Sequence, residues 1–140
     1  MSVRNAKRSN QPVPFVGRIR QNIDVKGKKF WTLFDTGTVN TYIVPEVAKL
    51  LATSKMPMPH RSAIGGKKHK SIESALLDAK IEGHHITTHA IVVDEIGKDD
   101  EDKAIQVLFG ALATQQWRIR PLPKEEKLDM SHYPQTFVEF

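Results

Sequence analysis

The chain of 140 residues contains no cysteine, which excludes disulfides, thiolate nucleophiles and cysteine-ligated metal sites. It also lacks any apolar run near the roughly 20 residues that a membrane-spanning helix needs. Its first residues, MSVRNAKR, have no hydrophobic segment of the kind found in signal peptides. These absences predict a cytoplasmic protein with no membrane partner. The composition, 39% hydrophobic and 26% charged, is typical of a soluble globular domain.

The sequence has little of the pattern that marks nucleic-acid binding, although its formal net charge is +5. Positive charge is concentrated in residues 1–8 and 67–70, while residues 94–102 are largely acidic. Neither basic segment is interleaved with aromatic side chains that could stack on bases. Nucleic acid is therefore not expected as the main partner. Binding of nucleic acid through the basic N-terminal segment stays open as an alternative.

Short β-prone segments dominate the chain and predict an all-β barrel or sandwich. Strands are expected over residues 13–23, 29–34, 41–44, 74–81, 86–93 and 104–109, and short helices over 45–51 and 111–117. Residues 24–28 and 63–67 are predicted hairpin turns, residues 56–59 (MPMP) should break regular structure, and residues 94–103 should form a solvated loop. The domain organisation that follows is a flexible basic tail over 1–12, one domain over 13–120, and an extended C-terminal tail over 121–140 packed on that domain.

The best candidate for a chemical site is the segment of residues 30–41, FWTLFDTGTVNT. Asp and Gly are ordinary turn residues, so Asp35 could simply stabilise a bend. However, the apolar strand before Asp35 places its carboxylate at the edge of a core, where an unpaired charge is costly. Thr36 and Thr38 offer hydroxyls, and Gly37 lets another backbone approach. The motif occurs once and no internal repeat is present, so chemistry with two such carboxylates requires a second copy of the chain.

Three marks in order along residues 13–120 resemble the retropepsin-like aspartic proteases. They are Asp35-Thr36-Gly37-Thr38 after an apolar strand, the glycine hairpin Ile64-Gly65-Gly66, and Leu108-Phe109-Gly110 before a short helix. The resemblance implies an all-β, retropepsin-like closed acid-protease barrel with one or two short helices, acting as a homodimer on polypeptide substrates without a metal or other cofactor. It also implies residue roles: catalytic Asp35, active-site support from Thr36 and Gly37, substrate binding by Thr38, Ile64, Gly65 and Gly66, and a psi-loop at Leu108, Phe109 and Gly110.

The chain departs from the family pattern in ways that concern dimer strength and substrate preference. Viral members often have an arginine after the psi-loop glycine, where this chain has Ala111, and position 39 is Val instead of a polar residue. The segment 94–103 is extra length, and residues 67–70 make the flap basic. A catalytically silent dimerisation or peptide-binding module on the same fold therefore stays open as the alternative function.

Three histidines between residues 84 and 89 raise the question of a metal site. In a regular strand His85 and His89 share a face, but their Cα atoms lie about 13 Å apart, too far to bind one ion. The sequence therefore predicts surface histidines beside a turn at His84 and His85, and no metal ligands.

Overall fold

The computed structural model describes residues 18–140. The predicted tail over 1–12 and the start of the first predicted strand lie outside the described residues. The strands are β1 (Arg18–Val25), β2 (Lys28–Asp35), β3 (Thr41–Ile43), β4 (Thr53–Ile64), β5 (Lys67–Ile81), β6 (His84–Val92), β7 (Gly97–Lys98), β8 (Ala104–Ile105), β9 (Val107–Phe109), β10 (Arg120–Leu122) and β11 (Lys127–Asp129). The helices are α1 (Pro45–Ala48) and α2 (Ala111–Gln116), with a 3₁₀ turn at Pro123–Glu125. Within this part of the chain, no helix has the length and apolar character needed to cross a membrane.

A seven-stranded sheet in the order β1-β2-β9-β3-β6-β5-β4 forms the body of the protein. Strand β1 pairs with β2 and also with β5, where Asp24 lies opposite Lys80, so the sheet closes on itself. Strands β2 and β9 are parallel, whereas β9 and β3 are antiparallel. The predicted all-β closed barrel with two short helices is confirmed.

The β1–β2 hairpin has a two-residue turn at Lys26 and Gly27, which both have positive φ (53° and 85°). Two positive φ values are the requirement of a type I′ turn, which matches the twist of paired strands. The turn fixes the register from Val25 opposite Lys28 to Arg18 opposite Asp35. The position of this turn in the sequence therefore places Arg18 opposite Asp35.

Two groups of buried apolar side chains form the core. The larger lies inside the closed sheet and includes Phe34 and Phe109, whose ring centroids are 5.0 Å apart. The smaller contains Tyr42, Ile91, Val93, Ile96, Ile105 and Leu108, with Ile64 packed against it. Through Ile64, this second group contacts the β4–β5 hairpin next to its turn.

Two predicted strands differ in detail from the structure. The strand expected over 104–109 is interrupted at Gln106, whose side-chain Oε1 accepts the Trp31 N–H (3.0 Å) while its backbone N–H donates to Trp31 O (2.9 Å). The MPMP segment lies within β4 and only shifts its register, between Lys55 and His60. The prolines are tolerated because β4 is an edge strand and its pairing with β5 is interrupted between Lys55 and His60.

Further differences concern the first helix and the acidic loop. Helix α1 ends at Ala48 and does not reach residue 51. Residues 94–103 are not wholly irregular, because they contain β7, which pairs with β8 just after this stretch. Gly97 of β7 lies opposite Ile105 and brings the acidic loop to the edge of the cleft described below.

The C-terminal segment forms a β10–β11 hairpin where the sequence predicts only extended chain. Leu128 and Met130 are buried in the larger core group, and Tyr133 packs against it. The Trp117 indole N–H donates to Thr87 O (2.9 Å), and the Trp117 ring stacks on Tyr133 with centroids 5.7 Å apart. This segment contributes apolar side chains to the core.

Candidate active site

Asp35 ends β2, an interior strand between β1 and β9. Its predecessor Phe34 is fully buried and lies beside Phe109 of β9 in parallel register. This packing pulls the end of β2 into the core, so Asp35 is only 6% exposed. The apolar strand therefore delivers the carboxylate to a largely buried position, as the sequence predicts.

Two groups compensate the buried Asp35 carboxylate. The Gly37 N–H donates to Oδ1 at 2.8 Å, and the Arg18 Nε lies 3.3 Å from Oδ2. A buried carboxylate without such partners would carry a large desolvation cost. The Arg18 side chain is itself 64% exposed, so it can move away without leaving a buried guanidinium. The carboxylate is thus oriented by one backbone amide and by one largely exposed cation.

The loop after Asp35 is attached to the start of α2 by backbone hydrogen bonds. Thr38 N–H donates to Asp35 O (3.1 Å), while Thr38 O accepts the Ala111 N–H (2.6 Å). Val39 O accepts the Leu112 N–H at 3.1 Å. These bonds tie the catalytic candidate to the segment that follows the psi-loop.

Gly110 is the close-contact point between these two segments. A Cβ built on Gly110 would lie 2.1 Å from Asn40 O, so only glycine fits. Its N–H donates to the Thr41 Oγ1 at 3.0 Å, and its carbonyl accepts the Thr114 hydroxyl at 2.8 Å. Leu108 and Phe109 precede it in β9, opposite Leu33 and Phe34. The three predicted psi-loop residues therefore lie directly beside the Asp35 strand.

The hairpin of β4 and β5 carries the predicted flap, defined here as residues 60–71. Its turn, Gly65 and Gly66, has φ values of +57° and +82°, which glycine adopts without strain. Ile64 packs on the smaller core group, and Gly65 lies against the Ile96 carbonyl, to which an added Cβ would come within 3.9 Å. The flap therefore rests on the loop that follows β6.

A cleft of about 930 Å³ lies between the flap and the Asp35 loop. Among the residues predicted for the site, it is lined by Asp35, Gly37, Thr38, Ile64, Gly65 and Leu108. Thr36 is exposed beside the cleft, Gly66 is at the flap tip, and Phe109 and Gly110 lie behind the cleft floor. The predicted residues are thus gathered around one cavity, and their individual roles stay predictions.

Several cleft residues were not predicted from the sequence. Tyr42 Oη lies 3.1 Å from His60 Nε2, which joins the cleft floor to the inner face of the flap. Arg18 lines the cleft beside Asp35, and residues 96–98 form part of the rim. The turn at residues 26–27 could have revealed Arg18, because a two-residue turn places it opposite Asp35. The contact of Tyr42 with His60 depends on flap docking and has no local signal.

The histidines near residue 85 make side-chain contacts away from this cleft. His85 Nε2 lies 2.5 Å from Asp78 Oδ1, and the His84 ring is 4.6 Å from that of Tyr133. Between residues 18 and 140, no group of three or more His, Asp or Glu side chains is arranged to hold a metal ion.

Comparison with known proteins supplies a structural match and no sequence match. No protein-family model and no curated protein matches the chain. The structure is similar to the crystal structure of the retroviral protease-like domain of Ddi1 from Leishmania major, with a TM-score of 0.59 and 14% identity, over 84% of this chain and 90% of that one. It is also similar to EIAV protease complexed with the inhibitor HBY-793, with a TM-score of 0.52 and 16% identity, over 76% and 93% of the two chains.

At these identities the similarity establishes the fold. Each of the two matches spans at least three quarters of this chain and nine tenths of the other. Together with the parallel β2–β9 pairing beside Asp35 and the glycine-tipped flap, they show that this chain has a retropepsin-like fold.

Proposed function

We propose that the protein is a homodimeric aspartic endopeptidase in which each subunit contributes Asp35 to one active site. The supporting observation is the position of Asp35: a largely buried carboxylate, oriented by the Gly37 N–H, at the floor of a cleft under a flap. One chain contains one such motif. The second carboxylate would come from the partner subunit.

The chemistry follows from placing two carboxylates in contact. Like charges about 3 Å apart do not both ionise readily, so the pair shares a proton. One carboxylate then removes a proton from a water molecule, while the other donates its proton to the oxygen of the scissile carbonyl. The Gly37 amide holds one carboxylate oxygen, which leaves the other oxygen for water or for the partner once Arg18 moves.

The cleft suits an extended polypeptide. Residues of the flap and of the loop after Asp35 line the same cavity, so an extended polypeptide strand would lie between them. A flap lying over the bound strand would exclude water and hold the scissile bond near Asp35. Ile64 and Leu108 would contact apolar side chains of the substrate.

The test is peptide cleavage by the parent and by Asp35→Asn, with Asp78→Asn as a matched carboxylate control on β5. We expect turnover by the parent and the control, inhibition by statine-type compounds, and no turnover by Asp35→Asn. Cleavage by Asp35→Asn at the parent rate would refute the assignment. Mixing parent and Asp35→Asn subunits in equal amounts should reduce the parent's activity to about half, because mixed dimers lack one carboxylate.

The silent peptide-binding module remains the second candidate, and one contact favours it. Arg18 neutralises Asp35 within a single chain, which is a stable arrangement for a carboxylate that performs no chemistry. In that case the parent would bind peptides without cleaving them, and Asp35→Ala would bind them equally well. Turnover that depends on Asp35 excludes this candidate.

A further inference from the structure

Two charged segments that have no assigned role meet beside the cleft. Lys67 and His69 belong to the basic run that begins β5, while Asp94 and Glu95 belong to the acidic segment after β6. Lys67 Nζ contacts Glu95 Oε2 and lies 4.0 Å from Asp94 Oδ2. His69 Nδ1 lies 3.2 Å from Asp94 Oδ1. The flap is therefore attached to the body of the chain by the ion pairs of Lys67 and by the His69–Asp94 hydrogen bond.

One of these contacts, between His69 and Asp94, is partly buried, and those of Lys67 are exposed. The His69 side chain is 3% exposed, whereas the Lys67, Asp94 and Glu95 side chains are all more than half exposed. Exposed ion pairs contribute little each, so the His69–Asp94 contact is the more important of the two. A carboxylate facing Nδ1 favours a hydrogen on that nitrogen, which leaves Nε2 of a neutral His69 as an acceptor.

The closed flap also buries polar atoms that have no protein partner. Across residues 18–140, the buried side-chain atoms in this condition are Ser62 Oγ and His69 Nε2. They belong to neighbouring positions, because Ser62 of β4 lies directly opposite His69 of β5. Burying a hydroxyl or ring nitrogen without a partner opposes closure, since both atoms are hydrogen-bonded to water when the flap is open. The contacts with Asp94 and Glu95 therefore favour the closed flap, whereas the two unpaired polar atoms favour an open one.

We propose that the flap is a charge-latched lid: Lys67 and His69 hold it on Asp94 and Glu95, and the unpaired polar atoms of Ser62 and His69 keep it close to opening. The latch is a property of the single chain. Its consequence for catalysis, control of polypeptide access to the Asp35 cleft, rests on the proposed function.

The first test is amide hydrogen exchange in residues 60–71 of the full chain without substrate, at low salt. Lys67→Glu places like charges against Asp94 and Glu95, so flap amides should exchange roughly two- to fivefold faster. Lys67→Glu combined with Glu95→Lys should restore the parent rate. Lys68→Glu makes the same charge change at the adjacent exposed position and should leave the rate unchanged. Equal rates in all four proteins, or acceleration by Lys68→Glu as large as by Lys67→Glu, would overturn the latch.

The second test concerns the unpaired polar atoms, which favour an open flap. Ser62→Ala removes a buried hydroxyl that has no protein partner, so the flap amides should exchange about fivefold more slowly. Ser54→Ala, at an exposed position of the same strand, is the control and should have no effect. Faster exchange in Ser62→Ala would show that its hydroxyl stabilises the closed flap and would overturn this part of the proposal. Because these measurements need no peptide cleavage, their outcome is independent of the test of Asp35.

Discussion

Arg18 Nε lies 3.3 Å from Asp35 Oδ2, at the two ends of the β1–β2 hairpin that pair in register. The contact neutralises within one subunit the carboxylate that the proposed mechanism pairs between two subunits. In the proposed dimer, Arg18 and the partner's Asp35 would approach the same carboxylate oxygen of Asp35. On the proposed function, dimer assembly and the Arg18 contact would therefore compete.

This competition predicts a tighter dimer for Arg18→Gln. The variant loses the competing ion pair while retaining a polar side chain of similar length, so the dimer dissociation constant should fall several-fold. Because the Asp35 side chain is only 8% exposed and loses its charged partner, the free energy of unfolding of the single chain should fall by roughly 1–3 kcal/mol. Sedimentation equilibrium of the parent, Arg18→Gln and the control Arg20→Gln measures the effect. A weaker dimer for Arg18→Gln would show that Arg18 supports assembly instead.

Gly110→Ala should be severely destabilising. The added Cβ would lie 2.1 Å from the Asn40 carbonyl oxygen and 2.6 Å from its carbon, both backbone atoms that cannot rotate away. Overpacking of this kind costs roughly 1–3 kcal/mol and sometimes more, and the value here should be at the upper end. Urea unfolding followed by circular dichroism gives the free energy.

The matched control for this prediction is Gly83→Ala. Gly83 has a φ of +81°, but a Cβ added there would have no atom within 4 Å, so only backbone strain of about 1–2 kcal/mol is expected. Similar losses in the two variants would mean that the contact with Asn40 relaxes easily and does not fix the Asp35 loop.

The sequence was sufficient to predict the local structure around the candidate site, while the roles of its residues stay predictions. Asp35 follows an apolar strand and Gly65 is half of a glycine turn, and both are where their local sequence places them. The contacts of Arg18 and His60 depend on strand register and on flap docking, which bring together residues distant in sequence. The sequence also did not predict the interruption of the strand at Gln106. There the Gln106 side chain, and not a backbone carbonyl, accepts the Trp31 N–H, which is again a contact between residues distant in sequence.

Substitutions in the C-terminal segment can test the predicted domain boundary at residue 120. Leu128 is 4% exposed in the larger core group, so Leu128→Ala should lower the free energy of unfolding by about 2–5 kcal/mol. Val138→Ala, at a side chain that is 81% exposed, should change it by less than about 0.5 kcal/mol. A loss at Leu128 as small as that at Val138 would mean that residues 121–140 lie on a domain that folds without them.

The flap latch should be stable over a wide range of pH and weaken in acid. The Lys67 pKa is raised above 10.5, chiefly by its hydrogen bond to Glu95, so its contribution is present below that value and is lost only as pH rises through the raised pKa. The Asp94 pKa is lowered below 3.8, first by a hydrogen bond to its own backbone and then by His69. The Asp94 contribution is therefore present above pH 3.8 and is lost as pH falls through the lowered pKa.

We therefore expect the flap to open on acidification before the barrel unfolds. Backbone amide NMR shifts of residues 64–69, followed from about pH 5 to about pH 2.5, should show a transition in the parent that Asp94→Asn lacks. Asp129→Asn is the control, because the Asp129 pKa is also lowered, chiefly by the Ser131 hydroxyl, yet this residue is in β11 and makes no flap contact. An unchanged flap transition in Asp94→Asn would assign the acid response to another carboxylate, and Glu95 is the nearest on the same loop.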